Sequence, residues 1–97
     1  MTYKLRFHQD AWAEWQKLAA SVREPFKKKL AERLREPRIS SAALHGMQDC
    51  YKIKLQTIGY RLVYRVDDDV ITVTVIAVGK RERNRVYQQA QARQQTK

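Results

Sequence analysis

The chain has 97 residues, with 20 Lys and Arg against 10 Asp and Glu, a formal net charge of +10 and a single cysteine. That length supports one small domain around one core, no apolar run approaches the roughly 20 residues that cross a bilayer, and a lone cysteine excludes an internal disulfide and agrees with a reducing cytoplasm. The N-terminal MTYKLRFHQD has no export signal, so a cytoplasmic location is expected, and the cationic surplus calls for an acidic partner: nucleic acid, an anionic membrane surface or an acidic protein.

Tyr3, Leu5 and Phe7 alternate with Lys4 and Arg6, the period of a short first strand. Trp12, Trp15, Leu18 and Ala19 then follow the three-and-four spacing of an amphipathic helix, with Asp10 as its expected cap. Val22, Phe26, Leu30 and Leu34 mark the buried face of a second helix. Its start has two readings: a capping box from Ser21 to Glu24, or a start near Glu24 that puts Pro25 in the tolerated first turn. Glu36 and Pro37 end it, and a polar connection through Ser40, Ser41 and Gly46 leads to three strands, roughly 50–55, 60–66 and 70–78. A turn at Gly59 and the acidic run Asp67, Asp68 and Asp69 separate them, and Gly79 stops the last. A final helix is expected from near Glu82, burying Val86 and Ala90 through a short, weakly docked contact and fraying in the Gln-rich tail. The resulting order is β-α-α-β-β-β-α. It describes an α/β (α+β) fold in which residues 1–97 form one compact domain: a mainly antiparallel sheet, two N-terminal helices on one face, and a C-terminal helix.

Hairpin parity assigns the cations of this sheet to a face, because residues directly opposite one another in an antiparallel pair project to the same side. With a loop at 56–59, Leu55 faces Tyr60, Ile53 faces Leu62, Lys54 faces Arg61 and Lys52 faces Val63. Lys52, Lys54, Arg61 and Arg65 then share one side, away from Ile53, Leu55 and Leu62. For the next hairpin, pairing Asp67 with Val70 sets Val66, Tyr64 and Leu62 against Ile71, Val73 and Val75, and sets Arg65 and Arg61 against Thr72 and Ile76. The first and second helices are expected to cover the apolar face and to leave the cationic face at least partly open. Lys80, Arg81, Arg83, Arg85 and Tyr87 emerge beside it in the run GKRERNRVY. A single cation on an exposed strand is most often a solubility device or an edge protector. A cluster of them edged by tyrosines fits a phosphate backbone and a stacked base better.

REPFKKKLAERLREPRI, LHGMQDCYKIKLQTIGYRLVYRV and VIAVGKRERNRVY together resemble the RelE toxins of bacterial type II toxin–antitoxin modules, over nearly the whole chain. The resemblance implies a fold related to microbial ribonucleases and cleavage of messenger RNA in the ribosomal A site, with inhibition of translation. It also implies neutralisation by a RelB-type antitoxin, through which alone the toxin would reach operator DNA as a co-repressor of its own operon. The implied partners are thus the antitoxin and the 70S ribosome, with 16S rRNA and messenger RNA. Residue by residue, the lysines of the family's Y-K-I-K strand match Lys52 and Lys54, the arginine of G-Y-R-L matches Arg61, that of G-K-R-E-R matches Arg81, and the tyrosine that follows in the last helix matches Tyr87. These five form the implied catalytic set, with Arg65, Lys80, Arg83, Arg85 and His45 as RNA contacts. His45 stands where the family often has arginine before the loop glycine.

Cleavage by internal transfer requires deprotonation of a 2′-OH, stabilisation of the phosphorane and departure of the 5′-oxygen. The set holds no histidine or carboxylate, the usual residues for the proton steps, and no spacing in the chain suits a zinc or calcium site or calls for a cofactor. Fixed cations remain, acting as charge develops in a partly dehydrated site. Arg61 and Lys52 suit that role. Neighbouring cations should lower the pKa of Lys54 and make it a conceivable base, Tyr87 is the alternative base, and Arg81 can bind the leaving oxygen. Two other classes stay open: a noncatalytic toxin of the ParE type, which shares the fold and targets gyrase, and a basic module that only binds RNA or DNA.

Overall fold

The computed structural model describes residues 2–82 and 85–95. Arg83, one of the expected RNA contacts, lies outside them, as do the ends of the chain and the position just before the last helix. The elements are β1 (Lys4–Phe7), α1 (Gln9–Gln16), α2 (Ala20–Arg35), β2 (Cys50–Leu55), β3 (Tyr60–Asp67), β4 (Thr72–Lys80) and α3 (Arg85–Gln95), in the expected order. The strands form one sheet in the order β1-β4-β3-β2. Both hairpins are antiparallel, while β1 returns alongside β4 in parallel, so the sheet is mixed. No helix among the described residues is long and apolar enough to cross a membrane.

Two helix starts differ from expectation. α1 is capped by His8, whose Nδ1 accepts the Asp10 N–H at 3.1 Å, so Asp10 is a first-turn residue and its carboxylate faces the positive end of the helix. α2 starts earlier than either reading allowed: Ala19 is its cap, without a side-chain bond, and its carbonyl accepts the Val22 and Arg23 N–H groups. Pro25 is thereby inside the helix, where it cannot donate to the Ser21 carbonyl. Ser21 is exposed, so water can satisfy that group.

Val22, Phe26 and Leu30 of α2 join Ala11, Trp15 and Leu18 over Ile53, Leu55, Leu62, Tyr64, Val66, Val73, Val75 and Val78, which is the main core. Trp12 departs from its expected burial: it is 46% exposed and meets the edge of Phe7 at 5.1 Å between ring centres. The deepest polar contact is that of Tyr64, fully buried, whose hydroxyl donates to the Pro37 carbonyl at 2.7 Å and accepts from Arg33 at 2.8 Å. Arg33 also donates to the Lys52 carbonyl at 3.1 Å, tying α2 to the centre of β2.

The β2–β3 register is the expected one, with Lys54 opposite Arg61 and Lys52 opposite Val63. The β3–β4 register is not. Asp67 pairs with Thr72 rather than Val70, because residues Asp68–Val70 form a turn of 3-10 helix and Ile71 takes a left-handed conformation at φ 48°, lengthening the connection by two residues. The opposite pairs are therefore Val66 with Val73 and Tyr64 with Val75. Beyond them a bulge adds Ile76 to β4, after which Val63 meets Ala77, Leu62 meets Val78 and Arg61 meets Gly79. A bulge restarts the alternation, and here it lets Val75 and Val78 face the main core while Ile76 and Ala77 face the other way.

The second face is also the more covered one than expected. Cys50, Val63, Ile76 and Ala77 line a strip on it that Val86 and Ala90 of α3 close, with Leu44, Met47 and Tyr87 packed around. Gly79 has no side chain to obstruct this contact: a β-carbon there would lie 3.4 Å from a methyl of Val86.

Candidate active site

α3 leaves one margin of its sheet face uncovered, and three of the expected site residues reach it directly. Lys54 is exposed opposite the half-buried Arg61. Lys52 is two residues along the same strand and so projects to the same side. Arg81 joins them because its N–H donates to the Gly59 carbonyl at 2.7 Å, which pins the chain leaving β4 against the β2–β3 turn. Gly59 sits at φ 80°, a conformation that glycine takes without strain. Between these elements is a cleft of about 200 Å³ lined by Lys54, Leu55, Gln56, Gly59, Tyr60, Arg61 and Arg81.

Tyr87 enters from the first turn of α3. Its ring lies under the Arg61 guanidinium at 5.2 Å, in cation–π range. Its hydroxyl is buried and has no hydrogen-bond partner among the described residues. A buried polar atom left unpaired costs about 1–3 kcal/mol, so its presence calls for an explanation, and a role in proton transfer is one. The five expected catalytic residues therefore share one neighbourhood.

The electrostatics agree with that grouping. The Lys54 amine is held below the ordinary lysine range, chiefly by Lys52, then by desolvation and by the guanidinium groups of Arg61 and Arg81. Lys54 is exposed to water, so the effect is a screened one. Cys50, the only thiol, is no candidate nucleophile: burial first of all pushes it up to about 11, and it accepts a bond from Gln94 at 3.2 Å. Among the described residues no group of three or more His, Cys, Asp or Glu could hold a metal ion.

The expected RNA contacts divide. Lys80 pairs opposite Tyr60 and is exposed beside the cleft. Arg85 is exposed and, with Arg81, Glu82 and Gln88, lines an adjoining depression. Arg65 shares the sheet face of Lys52, Lys54 and Arg61, as expected, but at the far end of the sheet: it sits opposite Cys50 and braces α3, donating to Asp67 at 3.0 Å and to Gln94 at 2.6 Å. His45 is exposed in the turn before β2, at the opposite end of that strand from Lys54.

The weak docking expected of α3 is also corrected. Val86 and Ala90 are buried as foreseen, but Arg93 adds a bidentate bond to Glu14 of α1, each contact 2.9 Å, and a bond to the Ile76 carbonyl at 2.8 Å. Sequence reasoning missed these anchors. The available signal was that Arg93 falls seven residues after Val86 and three after Ala90, on the same helical stripe.

The family model of the ParE toxin of the type II toxin–antitoxin system parDE matches residues 5–85 of the chain. The chain is 57% identical over 90 residues to the mRNA interferase toxin RelE of Escherichia coli K12, a match that covers 93% of this chain and 95% of that protein. Among solved structures it is similar to an arginine-to-alanine double mutant of the E. coli toxin RelE in the free state, with a TM-score of 0.88, 54% identity and coverage of 96% of this chain and 98% of that one. It is similar also to the toxin chain of the intact E. coli RelBE toxin–antitoxin complex, with a TM-score of 0.81, 57% identity and coverage of 84% and 99%.

Proposed function

The chain belongs to the RelE/ParE family of type II toxin–antitoxin toxins, and on that premise we propose that it is an mRNA interferase that cuts messenger RNA in the ribosomal A site and is held inactive by a RelB-type antitoxin. The observation that carries the reading is the cleft itself: Lys54, Arg61 and Arg81 line it, Lys52 lowers the proton affinity of Lys54, and Tyr87 sits against Arg61.

In this reading the RNA backbone lies across the cationic margin, with the scissile phosphate between Arg61, Lys52 and Arg81. The 2′-OH of the upstream nucleotide gives up its proton to Lys54 or Tyr87 and attacks that phosphate. The bond to the 5′-oxygen breaks and that oxygen takes a proton from water, leaving a 2′,3′-cyclic phosphate and a 5′-OH. Arginine holds its proton too firmly to donate it readily, so Arg81 stabilises the departing oxygen as a cation and hydrogen-bond donor. Cations preset in a partly dehydrated site stabilise developing charge more than they do in water. The weak proton-transfer groups explain why such an enzyme would need the ribosome to hold its substrate in line. Lys80 and Arg85 extend the positive surface toward RNA phosphates, and His45 and Arg65 are peripheral to it.

A ParE-type toxin directed at gyrase shares this fold but would have no use for five cationic and phenolic groups gathered in one place. The deciding experiment is incubation of the purified chain with programmed ribosomes, followed by mapping of the RNA ends. Cuts within the A-site codon that leave a cyclic phosphate support the reading; binding without cleavage overturns it.

A further inference from the structure

α3 is fastened at three levels, and only the first carries a residue of the proposed site. Tyr87 rests on Arg61 at the first turn. Val86 and Ala90 close on Val63, Ile76 and Ala77 in the middle. Near the last turn Gln94 bonds Arg65 and Cys50, and the Arg93 side chain, 15% exposed, grips both carboxylate oxygens of Glu14 and the Ile76 carbonyl, with Asp10 at 3.8 Å.

The location of this grip follows from the sheet. β1 stops at Phe7 beside Val75, so β4 has no strand neighbour on that edge beyond this point. Two backbone groups of β4 past that point take side-chain partners: the Ile76 carbonyl, at the bulge, and the Val78 N–H. Glu14 accepts from Val78 N–H at 3.2 Å, Arg93 donates to Ile76, and the two side chains bond each other. The ion pair stands in for the missing strand. Its charges are paired and their hydrogen bonds made, which is the condition under which removing one partner is costly.

Apolar contact is non-directional, so Val86 and Ala90 resist lifting of the helix far more than rolling or sliding. A bidentate guanidinium–carboxylate pair is directional. Tyr87 lies six residues from Arg93, about 9 Å along a stiff helix at about 1.5 Å per residue, and a roll at one end is felt at the other. We infer that Arg93, acting through Glu14, is a positioning residue for RNA cleavage: it sets the roll and height of α3 so that the Tyr87 ring stays on Arg61 and its hydroxyl, buried in the free protein, is in place for the RNA once substrate is bound. The inference rests on the proposed function and adds to it a contact outside the cleft.

A double-mutant cycle with Tyr87→Phe tests it. Arg93→Gln keeps a hydrogen-bonding side chain but loses the charged fork, and its single-turnover cleavage on programmed ribosomes should fall on the order of 10-fold with ribosome affinity unchanged. In the Tyr87→Phe background the same substitution should cost nothing further, because it acts through that hydroxyl. Arg93→Lys should recover part of the loss. A second readout needs no cleavage: the Arg61 side-chain protons, shielded by the Tyr87 ring in the free protein, should lose shielding in Arg93→Gln when observed by NMR. Should Arg93→Gln not fold at the assay temperature, Glu14→Gln, which keeps an acceptor for Val78, takes its place in both measurements. An unchanged rate, an equal loss in both backgrounds or unchanged Arg61 shielding overturns the inference. A wild-type protein that cuts no message refutes the proposed function instead, and the Arg61 shielding still decides whether Arg93 positions α3.

Discussion

The Arg61 guanidinium and the Tyr87 ring lie 5.2 Å apart, so a cation supplied by β3 and a phenol supplied by α3 behave as one unit. Arg61→Ala should lower single-turnover cleavage on the order of 10²-fold or more, with a much smaller effect on ribosome binding. Arg61→Lys should recover little, because an ammonium lacks the planar face that lies on the ring. Rates for the three proteins on the same ribosome-bound message decide this, and a lysine variant at the wild-type rate would reduce the role of Arg61 to point charge.

Tyr87→Phe should separate stability from activity. It removes a buried hydroxyl that has no partner among the described residues, so unfolding in urea should show a protein equally stable or more stable by up to about 1–3 kcal/mol. Cleavage should fall while ribosome binding persists. Loss of stability in the phenylalanine variant would mean that the hydroxyl is satisfied in solution and that its isolation is not a functional feature.

The cleavage rate should rise with pH through a lowered Lys54 pKa. Lys52 is the main cause of that lowering, ahead of desolvation and of Arg61 and Arg81. A base acts in its neutral form, and the neutral fraction grows as pH climbs toward the folded pKa and levels above it. The break in the pH–rate profile should therefore lie below that of an ordinary lysine, and Lys52→Gln should move it upward. Higher salt should move it the same way. A break that stays put in Lys52→Gln assigns the proton step to another group.

Acid should dissolve a second network, at the other end of the molecule. Tyr3 donates to Asp68 at 2.7 Å and Arg38 donates to it at 2.8 and 3.1 Å, while Arg38 also holds Asp49 and Tyr51. The Tyr3 bond first, then Arg38, holds the Asp68 carboxyl below the usual carboxylate range. A depressed carboxylate contributes stability above its unfolded pKa and loses it as pH falls through the folded one. Asp68→Asn should thus lower the Tm at neutral pH by a few degrees at most, since the pair is exposed. The two melting curves should converge as pH falls below the ordinary carboxylate range and through the depressed Asp68 pKa; a gap that persists in stronger acid would point to packing rather than charge.

The legible part of this fold was the part governed by local period. Alternation in β2 and β3 placed Lys54 opposite Arg61 without coordinates, and the spacing of Val22, Phe26 and Leu30 located the buried side of α2. The proposed catalytic set owed more to the resemblance than to the pattern, since nothing in its spacing alone sets Tyr87 against Arg61. What stayed hidden depends on contacts distant in sequence or on a single irregular residue. His8 outcompeted Asp10 as a cap because its ring nitrogen reaches the Asp10 N–H. The extra residue at Ile76 is invisible to a search for strict alternation, as val-rich strands read apolar on both faces. The partners of Arg65, Asp67 and Gln94, could be found only once α3 was laid across the sheet.

The bulge at Ile76 also limits how this protein can vary. Deleting that one residue would make β4 a regular strand and relieve the unpaired carbonyl that Arg93 now occupies. It would leave Ala77 opposite Val63 and Val78 opposite Leu62 on their present faces, but it would take from α3 both a core contact at Ile76 and the carbonyl that Arg93 grips. Descendants of this chain can accept insertions in the exposed turn at His45 and Gly46, whereas a one-residue gain or loss in β4 away from the bulge would turn the rest of the strand over and dismantle the cleft while leaving most of its residues unchanged.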